Sequence, residues 1–327
     1  MNQTTTDLVL AGAVLFFATP PAAAAGPRPP KAPPAVKTYS GDGRAPIEQL
    51  YRGMDALARE GPWDLATVFT DQGLPIRVLT TKHRGPAVWI LAGIHGEEPA
   101  PPNAVLRSRA ALQTLAAKKI PVVLFPLCNP VGYAKGWRYP DARRGSEEPA
   151  GHSVGDSEHL LLSKDGKPRV PKAASPQADA LTRTVLALAR AYPPVLSLDL
   201  HEDDTIPKGY IYSQGPQATA DPAARAILGK MAELGYPVAE SGQTRFGEKI
   251  VDGVIAGVND GSVDELIASD KIVVGGTPRP GPAGHSVIVV ETSSQKTSWE
   301  ERVKLHRAVI AMAEKLFRLA SAPEKRH

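Results

Sequence analysis

Four short, mainly apolar runs, at residues 87–92, 122–127, 195–200 and 287–290, are separated by stretches in which apolar side chains recur every three to four positions. Runs of this length and composition predict strands buried on both faces. The helical period marks residues 104–119, 177–192, 223–234 and 300–319 as amphipathic helices. Strand alternating with helix predicts a layered α/β domain built on a mostly parallel or mixed sheet. The chain ahead of it reads differently. Residues 8–18 form an apolar run followed by small residues that offer a cleavage site near Ala25. That run is too short to span a bilayer, and its flank holds Asp7 with no lysine or arginine. Residues 26–38 are proline-rich and without apolar period, the pattern of a polyproline-type tether. The expected organisation is a signal peptide over 1–25, a linker over 26–44, one catalytic domain over 45–320 and a tail over 321–327, in a periplasmic or secreted protein.

Composition narrows the chemistry. At 327 residues, with 42% hydrophobic and 22% charged, the chain is neither disordered nor a multi-span membrane protein. A net charge of +4 is too mild and too evenly spread for a nucleic-acid partner. Cys128 is the single cysteine, so an intrachain disulfide and a multi-cysteine metal site are both excluded. Any metal must be held by histidine and carboxylate.

Each expected strand is followed at once by residues able to do chemistry: Gly93-Ile94-His95-Gly96-Glu97-Glu98, Cys128-Asn129-Pro130, His201-Glu202-Asp203-Asp204 and Glu291-Thr292. In open α/β sheets ligands bind beyond the carboxyl ends of the strands, so loops far apart in sequence can meet there. His95 and Glu98 are three residues apart at a strand-to-helix turn, where imidazole and carboxylate can reach one ion. Glu97 should point elsewhere. Asp199 and His201 share a face at strand period, which lets Asp199 orient His201. Two histidines and one glutamate leave a fourth position for water, the pattern of a catalytic zinc. Glu291 is the candidate base, against the plainer reading of a loop carboxylate. Arg138, Arg143 and Arg144 follow the second strand and could stabilise an oxyanion or clamp a carboxylate, against the reading of a solvated basic loop. His152 and His159 read as loop or cleft residues, Glu202 to Asp204 as a solvated turn, Cys128 as a buried apolar residue and His285 as structural.

Taken together, Gly-Ile-His95-Gly-Glu-Glu98, Asn129-Pro-x-Gly132 with the arginine-rich loop, Asp-Leu-His201 and the late Glu291-Thr292 resemble the zinc carboxypeptidase superfamily over residues 85–295. That superfamily includes carboxypeptidase A-like peptidases and a succinylglutamate desuccinylase/aspartoacylase branch. The resemblance implies a three-layer α/β/α sandwich around a mixed, largely eight-stranded sheet. It implies one Zn2+ held by His95, Glu98 and His201, Glu291 as general base and acid, and one arginine of the 138–144 loop polarising the scissile carbonyl. The family's carboxylate grip is usually an Asn-Arg pair, and the nearest string here is Asp141-Ala142-Arg143-Arg144, with arginine in place of asparagine. A tyrosine capping the substrate would be Tyr210 or Tyr212, and spacing does not choose between them. The expected activity is hydrolysis of a peptide or amide bond beside a free carboxylate. The alternatives are an N-acyl amino acid deacylase and, in another class, a non-catalytic envelope-binding module of the same fold. The expected partner is a small peptide or acyl amino acid, with no nucleic acid and no membrane span in the mature chain.

Overall fold

The computed structural model describes residues 42–141 and 153–322. The expected signal peptide, all but the end of the linker, Arg143, Arg144, His152 and residues 323–327 lie outside the described residues. The strands are β1 (Trp63–Asp71), β2 (Leu74–Thr81), β3 (Ala87–Ala92), β4 (Val122–Phe125), β5 (Pro194–Asp203), β6 (Tyr210–Ser213), β7 (Ser241–Gln243), β8 (Lys249–Val251), β9 (Val254–Ala256), β10 (Lys271–Val274), β11 (Thr277–Pro280) and β12 (Ser286–Ser293). The helices are α1 (Ile47–Glu60), α2 (Ala100–Arg107), α3 (Arg109–Ala117), α4 (Pro130–Lys135), α5 (Pro176–Ala189), α6 (Pro222–Glu233), α7 (Val263–Ala268), α8 (Trp299–Ala311) and α9 (Ala313–Ser321). No described helix is long and apolar enough to cross a membrane.

Ten strands form one mixed sheet in the order β1-β2-β4-β3-β5-β12-β6-β9-β8-β7, and β10 and β11 pair separately. The four apolar runs of the sequence become β4, β3, β5 and β12, which are neighbours and mutually parallel. Antiparallel β2 and β6 flank them. Central strands are covered on both sides, and every residue of β3 is fully buried. Val88, Ile90 and Ala92 face a core shared with α1, α2, α3, α6, α8 and α9. Trp89 and Leu91 face a second core with α5 and α7. The result is a three-layer α/β/α sandwich. Beyond the expected eight strands, the sheet is extended by β7 and β8, each of three residues, too short to carry a readable alternation.

Two other differences have local causes. The expected 104–119 helix starts earlier and breaks at Ser108, whose hydroxyl donates back to the Ala104 carbonyl at 2.7 Å. The 300–319 helix breaks at Met312, and α9 then packs on β5 and α6. The β1–β2 hairpin lay outside the expected strands; its turn is made by Gln72 and Gly73, both with positive φ, the left-handed geometry that joins twisted strands in two residues.

The chain leaves β3 through α2 and α3 to reach β4 on one side, then returns through α5 on the other face to reach β5 on the opposite side. Strand order therefore reverses around β3. In open α/β sheets such a reversal marks the place, beyond the carboxyl ends of β3 and β5, where ligands bind.

Candidate metal centre

Beyond β3, Gly93 turns the chain with a φ of +68°, and residues 94–99 lead into α2. Within that turn His95 Nδ1 lies 2.8 Å from Glu98 Oε1. Strand β5 runs on through His201, whose Nδ1 lies 2.9 Å from Glu98 Oε2. One nitrogen or oxygen from each of the three residues falls within 4.8 Å of the others. The two imidazole rings stand edge to face with centroids 4.9 Å apart. Two imidazoles and a carboxylate, convergent and largely removed from water, are a donor set that fits a divalent transition metal. Glu98 also accepts from the Glu202 amide at 3.2 Å and from Arg138 Nη1 at 3.0 Å.

The electrostatics follow from burial and charge. Burial, helped by the Arg138 charge, pulls the His95 pKa down to about 3, so its lone pair is available to a metal. Burial acts the same way on His201, but the Asp199 and Glu98 carboxylates outweigh it and raise its pKa well above the usual range. Burial alone would raise Glu98; the two imidazoles reverse this and hold it well below the carboxylate range. On the far side of His201, Nε2 is 3.1 Å from Asp199 Oδ1. That approach is at ion-pair distance but outside hydrogen-bond angles, and both Asp199 oxygens are buried without a hydrogen-bond partner.

Glu291 reaches the same place from β12. It is opposite His201 on β5 and opposite Tyr210 on β6, so it shares the sheet face of His201. Its Oε2 is buried with no partner. Burial pushes its pKa well above the carboxylate range, against the opposing pull of His201. Arg138 lies across the centre, donating to Glu97 at 3.2 Å as well as to Glu98. Burial works against its charge, and the two glutamates more than offset that and keep it protonated. Glu97 thus turns toward the arginine and stays out of the ligand cluster. Tyr210 donates to Asp203 at 2.9 Å and Tyr212 to Glu248 at 2.8 Å, with ring centroids 5.6 Å apart. Burial and the nearby Glu291 charge raise both tyrosines, so both hydroxyls stay protonated. The remaining candidates fall elsewhere: His159 is 3.8 Å from Asp179, His285 sits beside Gln217 at 3.3 Å, and Cys128 is fully buried.

One expectation is corrected. Glu202 is buried, where a solvated turn was expected: it accepts from the Ala100 amide at 2.7 Å and pairs with Arg302. It ties the start of α2 to β5 and α8 because β5 continues three residues past the apolar run. Asp203 is likewise engaged, through Tyr210.

The Asn129-Pro-x-Gly132 string proves to be scaffold. Asn129 caps α4 by accepting from the Gly132 amide at 2.8 Å and donates to the Arg138 carbonyl at 3.0 Å. The Gly96 amide donates to that same carbonyl at 3.2 Å. A Cβ on Gly96 would sit 2.0 Å from the Gly132 carbonyl carbon and 2.2 Å from the Tyr133 amide nitrogen. Both are backbone atoms, so space rather than backbone angle requires glycine. Gly96→Ala is expected to destabilise the fold by about 1–3 kcal/mol by overpacking and to weaken the binding of an added divalent transition metal, read by urea unfolding and chelator competition. Wild-type values in both would show that the two loops are not in contact.

No protein-family profile matches the sequence, and no curated protein matches it. Solved structures do match in shape. A provisionally assigned metallopeptidase of Shewanella amazonensis superposes with a TM-score of 0.64 at 20% identity, covering 85% of this chain and 94% of that one. A metallo-carboxypeptidase of Burkholderia cenocepacia gives 0.56 at 12% identity over 84% of this chain and 70% of that one. Carboxypeptidase A of Helicoverpa armigera gives 0.57 at 12% identity over 86% and 75%. Identities at this level speak for shape alone. With a mixed sheet between two helical layers and a His-Glu-His group at its strand ends, the chain has the zinc carboxypeptidase fold.

Proposed function

We propose that the protein is a zinc-dependent hydrolase of carboxypeptidase type, cleaving a peptide or amide bond next to a free carboxylate. The observation that carries this is the meeting of His95, Glu98 and His201 within 4.8 Å, beside the buried, unpartnered Oε2 of Glu291. His95, Glu98 and His201 would hold the ion. When bound, zinc lowers the pKa of water to about 7 and polarises a carbonyl.

The protein's own groups account for the proton and the charge. Glu291 takes a proton from the attacking water as the carbon–oxygen bond forms, and delivers it to the leaving nitrogen as the carbon–nitrogen bond breaks. Burial raises its pKa, which favours holding that proton between the two halves of the transfer. Arg138, permanently charged beside Glu97 and Glu98, stabilises the oxyanion or orients the substrate carboxylate. Arg143 and Arg144 are the further candidates for the carboxylate. Tyr210 or Tyr212 could donate to substrate only by giving up Asp203 or Glu248. Asp199 orients His201 from behind. With residues 1–25 acting as a secretion signal, the substrate would be a cell-wall stem peptide or a scavenged peptide.

The test pairs metal analysis with a substrate panel. Purified protein is expected to carry one zinc per chain and to release C-terminal residues from peptides, with activity lost to chelator and restored by zinc. Turnover of N-acetyl or N-succinyl amino acids alone would transfer the assignment to deacylation. Protein without zinc, and with no hydrolysis of either class, would leave a binding module of the same fold.

A further inference from the structure

Residues just ahead of α1 reach into the metal-binding loop. Gly43 turns there with a φ of +81°, and a Cβ on it would meet the Trp299 ring at 3.0 Å. Arg44 follows, with a side chain only 2% exposed. Its Nη1 donates to the Gly96 carbonyl at 3.2 Å and to the Tyr133 carbonyl. Its Nε donates to Asp42 at 2.8 Å, Nη2 reaches the same carboxylate at 2.7 Å, and the guanidinium lies 4.9 Å over the Tyr133 ring. Gly96 belongs to the loop carrying His95 and Glu98. Tyr133 belongs to α4, which leads to Arg138. These are the two backbones packed so closely at Gly96 that no side chain fits between them.

Ala45 extends the same clasp. Its amide donates to Asn103 Oδ1 at 2.9 Å, and its carbonyl accepts from the Tyr133 hydroxyl at 2.7 Å. Asn103 in turn donates to that hydroxyl at 2.9 Å and to the Pro99 carbonyl at 2.8 Å, one residue past Glu98. Both Asn103 and Tyr133 are essentially without solvent exposure. A guanidinium is costly to bury unless a counter-charge and hydrogen-bond acceptors meet it. Here Asp42 supplies the counter-charge and the two carbonyls accept from Nη1. A displaced loop would leave that charge short of partners in a dry site, so the arrangement resists displacement of either loop.

We infer that Arg44 is a positioning residue for the metal centre, fixing the His95–Glu98 loop against the Arg138 loop from a segment of chain far from both in sequence. The inference draws on the metal-centre reading for its affinity readout, and on the hydrogen-bond geometry alone for its local one. The loop geometry requires a donor at both carbonyls, which a lysine can supply and a methionine cannot.

The test uses the full chain as wild type, Arg44→Met and Arg44→Lys. Chelator competition is expected to show zinc affinity 10- to 100-fold weaker in Arg44→Met, the range seen when a group supporting a ligand is removed, with most of it regained in Arg44→Lys. In metal-free protein, hydrogen exchange at the amides of residues 96–98 should accelerate in Arg44→Met while the amides of β3 and β5 keep their protection. Lower thermal stability with wild-type zinc affinity and unchanged exchange at 96–98 would mean that Arg44 only anchors the residues just ahead of α1, and would overturn the inference. If wild type bound no zinc, the proposed function would fall, and the exchange comparison would still decide for or against Arg44.

Discussion

Glu291→Gln is expected to retain zinc at wild-type occupancy and to lose roughly 10²- to 10⁴-fold in kcat, the usual contribution of a general base. The substitution preserves shape and removes only the ability to take up and return a proton. Glu291 is not among the three residues whose donor atoms converge, so metal content should not change. The amide nitrogen of glutamine would also occupy a buried position where Oε2 now has no partner, and this costs little because the carboxylate itself is poorly solvated there. Zinc analysis and steady-state kinetics on the same preparation decide the matter. Near-wild-type turnover would assign the proton to another group, and loss of zinc would place Glu291 among the ligands.

Glu98→Gln is expected to have the larger combined effect, because under the proposed function one residue would serve both the ion and the metal-free fold. Its carboxylate accepts from His95, His201, the Glu202 amide and Arg138. A glutamine there can offer one acceptor oxygen and must turn its amino group toward a donor. Zinc affinity should fall by more than the roughly 100-fold associated with loss of a supporting group, and hydrolysis with it. The metal-free protein should lose about 3–5 kcal/mol, since the buried Arg138 keeps its charge after one of its two carboxylate partners is gone and the two imidazoles lose the acceptor they share. Equilibrium dialysis and urea unfolding in chelator measure the two parts separately. Full zinc occupancy in this variant would remove Glu98 from the ligand set and leave the two histidines to be explained otherwise.

The two substitutions separate what the neighbouring loops do. Glu291 comes from the strand beside His201 and, under the proposed function, would act on the reaction; Glu98 comes from the loop after β3 and joins the two histidines. Both roles depend on four adjacent parallel strands ending at one edge, which is why the topology matters more here than any single motif.

Much of that edge was legible in advance. The runs at 87–92, 122–127, 195–200 and 287–290 coincide with β3, β4, β5 and β12 because strands buried on both faces must be apolar through most of their length. The His95–Glu98 spacing carried over because three residues within one turn determine their own geometry. Glu202 was misjudged because a carboxylate in an acidic string looks solvated until the elements around it are known; here the start of α2 and Arg302 of α8 close over it. Arg44 gave no signal at all, since it ends the expected linker and the two carbonyls it binds lie 52 and 89 residues away. The short edge strands β7 and β8 had too few residues to show a period.

By itself, the amino-acid sequence determined the central strands, the chemistry-bearing residues at their ends and the exclusion of a cysteine-held metal, because hydrophobic period, local spacing and residue type are properties of the chain alone. Only the tertiary structure decided that those strands are neighbours, that Glu98 stands between two imidazoles, that Glu291 is desolvated beside them, and that Gly96 and Arg44 hold the loops together. Desolvation, charge coupling and the clearance of a single Cβ depend on which distant backbone lies opposite, and no one-dimensional pattern carries that information.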